Sequence, residues 1–158
     1  MSDTAVVITV STRAAAGVYE DRSGPVVVDA LRELGFAVGE PIVVPDGDAV
    51  GAALRAAVTE EHAVVITTGG TGLGPSDHTP EQTRWVLDRE VPQLAAAIAR
   101  YGVEHGVPTA ALSRGTAGVA GRTVIVNLPG SSGGARDGMA VLAQVLAHAV
   151  SQVRGGDH

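Results

Sequence analysis

The 158-residue sequence contains neither cysteine nor lysine, and all eleven of its basic residues are arginine. Without cysteine, the chain has no disulfide, no thiolate metal site and no cysteine nucleophile. Without lysine, it has no Walker-type phosphate-binding lysine and no side chain able to form a Schiff base. Any chemistry must therefore depend on other side chains, on backbone amides or on bound cations.

Aromatic residues and long apolar runs are also scarce. Aromatic residues make up only 3% of the chain and apolar residues 45%, so the predicted core consists of Val, Ala and Leu. No apolar run approaches the ~20 residues of a membrane-spanning helix. The first apolar segment, Val6–Val10, is typical of a strand rather than of a leader peptide. We therefore expect a cytoplasmic protein with no membrane partner.

Basic residues are fewer than acidic ones, and the formal net charge is −6. A broad nucleic-acid surface needs a basic stripe, so the sequence predicts no nucleic-acid partner. A phosphate group would have to be bound locally.

Strand-like and helix-like segments alternate along the chain. Strands are predicted at Ala5–Val10, Ala37–Val44, Ala63–Thr67, Thr109–Leu112 and Thr123–Leu128, the last two separated by a glycine-rich, hairpin-like segment. The second strand is expected at the periphery, because Pro41 cannot donate to a ladder.

Helices are predicted between these strands from their caps and apolar periodicity. The first is Gly24–Leu34, with Pro25 at its first position and Gly35 after its end. The second is capped by Asp48 and turns Val50, Leu54 and Val58 inward, and the third is opened by a capping box at Thr79–Gln82. The fourth runs from Pro92 to about His105, and the long last helix carries an apolar stripe of Met139, Leu142, Leu146, Ala149 and Val153.

Parallel strands with helical crossovers predict an α/β fold, a three-layer sandwich with a mostly parallel central sheet and helices on both faces. Residues 1–154 are expected to form a single domain, and residues 155–158 a disordered tail. Ligands of such sheets bind beyond the carboxyl ends of the strands. Four polar or glycine-rich segments follow apolar strands here and should converge on one edge, namely residues 11–17, 45–48, 68–78 and 129–134.

The stretch after the third strand is the most distinctive of the four. It reads TTGGTGLGPSDHTP, and we call residues 69–78 the glycine loop. Glycines accept positive φ and let the backbone approach an anion closely. Pro75 stands where the dinucleotide fingerprint requires its third glycine, and no G-K-[ST] follows. A plain strand-to-helix connection stays an alternative, but four glycines in six residues exceed what a turn needs.

Two aspartates lie beside this loop in the predicted arrangement. Asp77 is either a cap for the next helix or a ligand for magnesium on a polyphosphate. Asp46, in Pro45-Asp46-Gly47, is either a turn residue or a second ligand. At the ends of adjacent strands, the two together predict a metal pair.

A second small-residue loop, residues 129–132, opens a helix, and we call it the serine loop. Its amides and serines either cap that helix or bind another phosphate. Ser113 and Arg114 follow another predicted strand, where a guanidinium suits phosphate or the edge of a heterocycle. Trp85 is expected in the core or in oligomer packing rather than in base stacking.

These motifs together resemble the MogA/MoaB family of molybdenum-cofactor biosynthesis. The resemblance covers essentially the whole chain and is carried by Ser11-Thr12-Arg13, residues 17–21, Pro45-Asp46, TGGTG at residues 68–72, Asp77 to Glu81, Leu112-Ser113-Arg114 and residues 127–131. Ser132 stands where many relatives carry proline.

The resemblance implies a homotrimer that binds molybdopterin. In the adenylyltransferase branch it implies Mg²⁺-dependent transfer of AMP from ATP to molybdopterin, with adenylyl-molybdopterin and pyrophosphate as products. Asp46 and Asp77 match the family's functional aspartates and are assigned to catalysis and magnesium binding. Substrate or nucleotide binding is assigned to Thr68, Gly69, Gly70, Thr71, Gly72, Ser113, Arg114, Pro129, Gly130, Ser131 and Ser132.

Two other functions stay open at this point. A non-catalytic molybdopterin-binding or regulatory protein of the MoaB type would share these motifs without turnover. A nucleotide-binding oxidoreductase is disfavoured by the missing third glycine. A downstream molybdenum insertase is the candidate protein partner.

Overall fold

The computed structural model describes residues 3–156 and confirms the predicted fold class. Its strands are β1 Thr4–Val10, β2 Ala37–Val38, β3 Ile42–Val44, β4 Val64–Thr68, β5 Arg89–Glu90, β6 Ala117–Ala120 and β7 Thr123–Leu128. Its helices are α1 Thr12–Ala15, α2 Ser23–Glu33, α3 Asp48–Thr59, α4 Thr79–Val86, α5 Pro92–Glu104, α6 Ser132–Leu142 and α7 Leu146–Val153, with a 3₁₀ turn at Pro108–Leu112.

The strands form one sheet in the order β2-β1-β4-β7-β6-β5, with β3 pairing the other half of the β1 edge. Strands β1, β2, β3, β4 and β7 run parallel, whereas β6 is antiparallel to β7 and β5 to β6. The parallel register places Ala5 beside Val64 and Val64 beside Val124, so the central strands end together.

Both faces of the central strands are buried. One face packs on α2, α5, α6 and α7 through Val27, Ile98, Met139 and Leu146, and the other packs on α3 through Leu54. Successive β4 residues alternate between the two layers, as a pleated strand requires. This explains the continuous apolar runs of the central strands, since a strand covered on both faces has no polar side.

Six sequence-based predictions of secondary structure are wrong in detail. The predicted strand 37–44 is two short strands, β2 and β3, interrupted around Pro41, which lacks the N–H that a continuous ladder needs. The predicted strand 109–112 is a 3₁₀ turn with Pro108 in its first turn. The predicted long last helix breaks at residues 143–145 into α6 and α7.

The remaining corrections concern helix starts. Gly47, and not Asp48, is the N-cap of α3, and Asp48 begins the helix. His78 is the N-cap of α4 without a side-chain bond, so Thr79 is its first helical residue rather than a cap. Pro25 is the third residue of α2, because that helix begins at Ser23.

Trp85 is not in the core, since 76% of its surface is exposed. Gly35 follows α2 with φ +97°, as predicted. The single domain and the disordered tail stay predictions; of the tail, Asp157 and His158 lie outside the described residues.

Asn127 joins three elements of the fold through one buried amide. Its Oδ1 accepts from the Thr116 amide at 3.0 Å, and its Nδ2 donates to Thr67 Oγ1 at 2.9 Å and to Thr83 Oγ1 at 3.0 Å. We expect Asn127→Ala to lower the free energy of unfolding by about 2–4 kcal/mol, because it leaves buried polar groups without partners. Urea denaturation measures the loss. The exposed Gln144→Ala is the control, and a loss no larger than that control's would contradict the assignment.

Candidate active site

The carboxyl ends of β1, β3, β4 and β7 meet at one edge of the sheet. The Ser11 amide donates to the Val44 carbonyl at 2.9 Å, and the Gly69 amide donates to the Leu128 carbonyl at 3.0 Å. Thr68 Oγ1 donates to the Pro129 carbonyl at 2.7 Å. The four segments predicted to converge after these strands therefore do so.

The glycine loop leaves β4 in a conformation that only glycine supports. Gly69 has φ +101°, and a Cβ there would collide with the carbonyl oxygen of Val10 on β1. Gly70 has φ +71°, and a Cβ there would overlap Thr79 Oγ1 and lie 2.6 Å from Asp46 Oδ2. The first two residues of the loop are glycines because the backbone passes between neighbouring elements without room for a side chain.

The two predicted aspartates both contact this loop. Asp46 Oδ1 accepts from the amide of His78, the residue after Asp77, at 3.0 Å. Asp77 Oδ2 accepts from the Gly74 amide at 2.9 Å, and a Cβ at Gly72 would lie 2.9 Å from the same oxygen. The carboxylates of Asp46 and Asp77 thus lie on the same rim, one arriving from β3 and one from the loop itself.

The ionised form of Asp46 is disfavoured on this rim. Partial burial raises the pKa of Asp46 above its ordinary value, and the charge of Asp77 raises it further. The hydrogen bond from the His78 amide opposes both effects. A bound cation would relieve this repulsion.

The residues present fit a magnesium ion bound together with phosphate. Magnesium is usually held by one or two carboxylates and completed by waters and substrate phosphates. The rim offers two such carboxylates, and Thr79 Oγ1 beside them is buried without a hydrogen-bond partner. Within residues 3–156 there is no group of three or more acidic, histidine or cysteine side chains that could hold a metal alone.

Arg114 and Ser113 reach the glycine loop from the segment before β6. Three nitrogens of the Arg114 guanidinium donate to protein oxygens, those of Gly72, Asp77 and Glu81. Ser113 Oγ lies 3.4 Å from Thr71 Oγ1. The guanidinium of Arg114, predicted to contact a ligand, faces protein acceptors.

The serine loop packs against the glycine loop. A Cβ at Gly130 would lie 3.2 Å from the Cα of Gly69. Ser131 caps α6, its Oγ accepting from the Gly134 amide at 3.0 Å, and Ser132 is the first helical residue. The structure therefore brings Thr68 to Thr71 and Pro129 to Ser132 together.

Two cavities flank these paired loops and share Gly70, Gly130 and Ser131 in their walls. The first, of about 460 Å³, has a largely apolar wall from α5 and the 3₁₀ turn, including Ile98 and Leu112. The second, of about 450 Å³, is polar and is lined mainly by Thr9, Ser11, Tyr19, Asp21, Arg22, Ser23 and Thr68.

Sequence reasoning missed most of these lining residues. Asp21 is fixed by Thr9 Oγ1 at 2.8 Å and by the Gly24 amide at 2.9 Å, and it lies in a motif quoted for the family resemblance. That motif was the sequence signal that could have identified Asp21 as a site residue. The apolar wall from α5 gave none, because Ile98 reads as an ordinary core position of an amphipathic helix.

Comparison with known proteins identifies the family of this chain. Residues 6–148 match the family model described as a probable molybdopterin binding domain. The chain belongs to this family. Its resemblance to MogA/MoaB proteins is thereby confirmed.

Individual relatives agree with this assignment. A molybdopterin adenylyltransferase of Pyrococcus furiosus is 36% identical over 152 residues, 94% of this chain and 89% of that protein. A molybdenum cofactor biosynthesis bifunctional protein of Synechococcus elongatus is 37% identical over 98% of this chain, which spans only 48% of that protein. The solved Mog protein of Mycobacterium ulcerans superposes with a TM-score of 0.92 at 51% identity, covering 98% of this chain and 99% of that one.

These comparisons establish a role in molybdenum cofactor biosynthesis. No helix within residues 3–156 is long and apolar enough to cross a membrane.

The raised pKa of Asp46 leads to a stability prediction. Folded Asp46 binds its proton more tightly than the unfolded chain does, so its contribution to stability is lost as the pH rises from the ordinary Asp value through the raised one. Asp46→Asn removes this titration and keeps an acceptor for the His78 amide. We expect the variant to be more stable than wild type at pH 7 by about 0.5 kcal/mol, with the gain shrinking in acid.

Thermal unfolding between pH 3 and 8 without added metal measures this difference. Asp48→Asn is the matched control, because it removes the same charge two residues away at the first turn of α3, where a negative charge is favourable. Equal stabilisation by both variants would instead indicate general relief of the negative net charge.

Proposed function

We propose that this protein is a molybdopterin adenylyltransferase, which transfers AMP from ATP to molybdopterin with Mg²⁺ and releases pyrophosphate. The observation that carries the proposal is that Asp46 and Asp77 both contact the glycine loop, whose first residues line two cavities. Two cavities suit a reaction that joins two substrates. The adenylyltransferase name of the Pyrococcus relative adds support.

The proposed reaction balances without a covalent enzyme intermediate. An oxygen of the terminal phosphate of molybdopterin attacks the α-phosphorus of ATP. A new P–O–P bond forms, the bond between the α-phosphorus and the bridging β-oxygen breaks, and pyrophosphate leaves with that oxygen. Such transfers depend mainly on positioning and on neutralisation of charge, and this chain offers both without cysteine or lysine.

In this proposal Asp46 and Asp77 hold the magnesium, which, when bound, neutralises charge on the phosphates. The amides of the glycine loop and the Thr71 hydroxyl orient the nucleotide phosphates, whereas Thr68, whose Oγ1 donates to the Pro129 carbonyl, joins the glycine loop to the serine loop. The serine loop lies between the two cavities, so Pro129, Gly130, Ser131 and Ser132 are proposed to position the phosphate that attacks.

The two cavities differ in ways that suit different parts of the ligands. The apolar wall around Ile98 and Leu112 suits a flat heterocycle, whose faces need no hydrogen bonds. Tyr19 and Arg22 line the polar cavity, and the Tyr19 ring centre lies 5.8 Å from Arg22 Cζ and 5.5 Å from the Cζ of the neighbouring Arg13. Those charges suit an anionic group.

Asp77→Ala should abolish molybdopterin-dependent pyrophosphate release, with a fall of at least about 100-fold, because a metal-binding carboxylate supplies several kcal/mol of transition-state stabilisation. A coupled pyrophosphate assay with ATP, MgCl₂ and molybdopterin measures it, with circular dichroism to verify folding. Asp29→Ala, an exposed α2 residue outside both cavities, is the control.

Wild-type-like turnover by a folded Asp77→Ala protein would refute the metal assignment. Molybdopterin binding by the wild type without pyrophosphate release would favour the alternative, a non-catalytic binding or regulatory protein. Binding of NADH in place of both substrates would indicate an oxidoreductase.

We further propose a homotrimer in the cytoplasm that passes its product to a molybdenum insertase. Trp85 supports the oligomer, since this single tryptophan is 76% exposed in the isolated chain. Light scattering after gel filtration should give three times the 15.9 kDa chain mass, and Trp85→Glu should reduce it. A monomeric wild type would contradict the trimer, and a trimeric Trp85→Glu protein would contradict the role of Trp85.

A further inference from the structure

Arg114 makes hydrogen bonds to several residues along the glycine loop. Its amide donates to the Thr71 carbonyl at 2.8 Å, its Nε to the Gly72 carbonyl at 2.8 Å and its Nη2 to the Asp77 carbonyl at 2.8 Å. The bonds therefore fix both the start of the loop and the residue that carries one of the two rim carboxylates.

The fourth bond anchors this arrangement to a helix. Arg114 Nη1 donates to Glu81 Oε2 at 2.7 Å, and Glu81 lies in the first turn of α4. The hydrogen bond and charge of Arg114 lower the pKa of Glu81, which favours the ionised carboxylate. Arg84 Nη1 lies 3.5 Å from the same carboxylate, and its Nε donates to Glu90 rather than to the loop.

The loop has few other attachments between its two ends. Leu73 is 66% exposed, and residues 73–76 are all exposed. Within this stretch the Asp77 amide donates to the Gly74 carbonyl at 3.1 Å, and Asp77 Oδ2 accepts from the Gly74 amide. These contacts close the turn upon itself. Beyond them, the far end of the loop is tied to the rest of the fold by the His78 amide, which donates to Asp46 Oδ1, and by the Arg114 guanidinium, which also reaches the middle of the loop.

We infer that Arg114, held by Glu81, is the residue that positions the glycine loop so that the Asp77 carboxylate faces Asp46. The inference rests on the proposed function, because it gives Arg114 a role in metal and nucleotide binding through the loop. It also changes the role predicted from sequence, where Arg114 was expected to contact substrate directly. Three of its five N–H donors are already used by protein oxygens.

The planar guanidinium is essential to this role. Its donors point in fixed directions and reach two carbonyls and a carboxylate at once. A lysine would keep the positive charge but place a single ammonium group, which cannot meet all three acceptors. Arg114→Lys therefore separates geometry from charge.

The test compares Arg114→Lys and Glu81→Gln with wild type, and Arg84→Gln serves as the matched control because it loses a contact to Glu81 but none to the loop. We expect the apparent Mg²⁺ constant for pyrophosphate release to rise roughly 10-fold or more in Arg114→Lys, as for other residues that orient a metal ligand. The rate at saturating Mg²⁺ should recover most of the wild-type value. Glu81→Gln should give a smaller rise, since its amide oxygen still accepts.

Two further readouts do not depend on activity. Amide hydrogen exchange of the metal-free proteins should be faster across residues 72–78 in Arg114→Lys and unchanged in β4 and β7. Titration with Mn²⁺, followed by electron paramagnetic resonance, should show weaker binding in that variant. Arg84→Gln should match wild type in all three measurements.

Unchanged metal constants and unchanged exchange of residues 72–78 in Arg114→Lys would overturn the inference. So would faster exchange throughout the chain, which would indicate a general structural role. If Arg114→Lys fails to fold, Glu81→Gln decides by the same criteria. A wild type that binds Mn²⁺ but releases no pyrophosphate would refute the proposed function alone, because exchange and Mn²⁺ titration still test the positioning of the loop.

Discussion

The close approach of the Gly69 and Gly70 backbone to its neighbours is the constraint on which the site depends. At Gly69 the chain passes against the carbonyl of Val10, and at Gly70 it passes between Thr79 and Asp46. A side chain at either position would push the loop away from the ends of β1 and β3. Because the parallel register makes those strands end together, the loop can collect groups from several elements only if it stays this close. The two glycines therefore let the loop stay beside the strand ends, where groups from several elements meet at one rim.

The charge distribution of the rim explains how an acidic chain could bind anionic ligands. The net charge of −6 repels phosphates at long range, and Asp46 with Asp77 adds two negative charges at the rim itself. Partial burial already raises the pKa of Asp46, so the unliganded site is electrostatically unfavourable. Under the proposed function, a divalent cation that arrived with the phosphates would change the sign of that interaction. The site would then favour the metal-bound nucleotide over the free anion.

Much of the fold was readable from the sequence because its strongest signals are local. Continuous β-branched runs predicted β1, β4 and β7, and Pro92 predicted the start of α5. The errors arose where local signals compete with tertiary contacts. The 3₁₀ turn at 108–112 has a strand-like composition but packs against α5. At the site, motif residues predicted the glycine loop and both aspartates, whereas the apolar wall from α5 carries no signal because core and ligand contacts require the same side chains.

The narrow ridge between the two cavities has a consequence for the chemistry. Gly70, Gly130 and Ser131 line both cavities, and the backbones of the two loops touch there, so the barrier between the cavities contains almost no side chain. Ligands in separate cavities could therefore bring their phosphates together across this ridge, while their larger groups stay apart. A bulkier ridge would separate the attacking oxygen from the α-phosphorus, since productive geometry requires the reacting atoms about 3–3.5 Å apart. Under the proposed function, small residues at this point would serve the approach of two substrates as well as the packing of two loops.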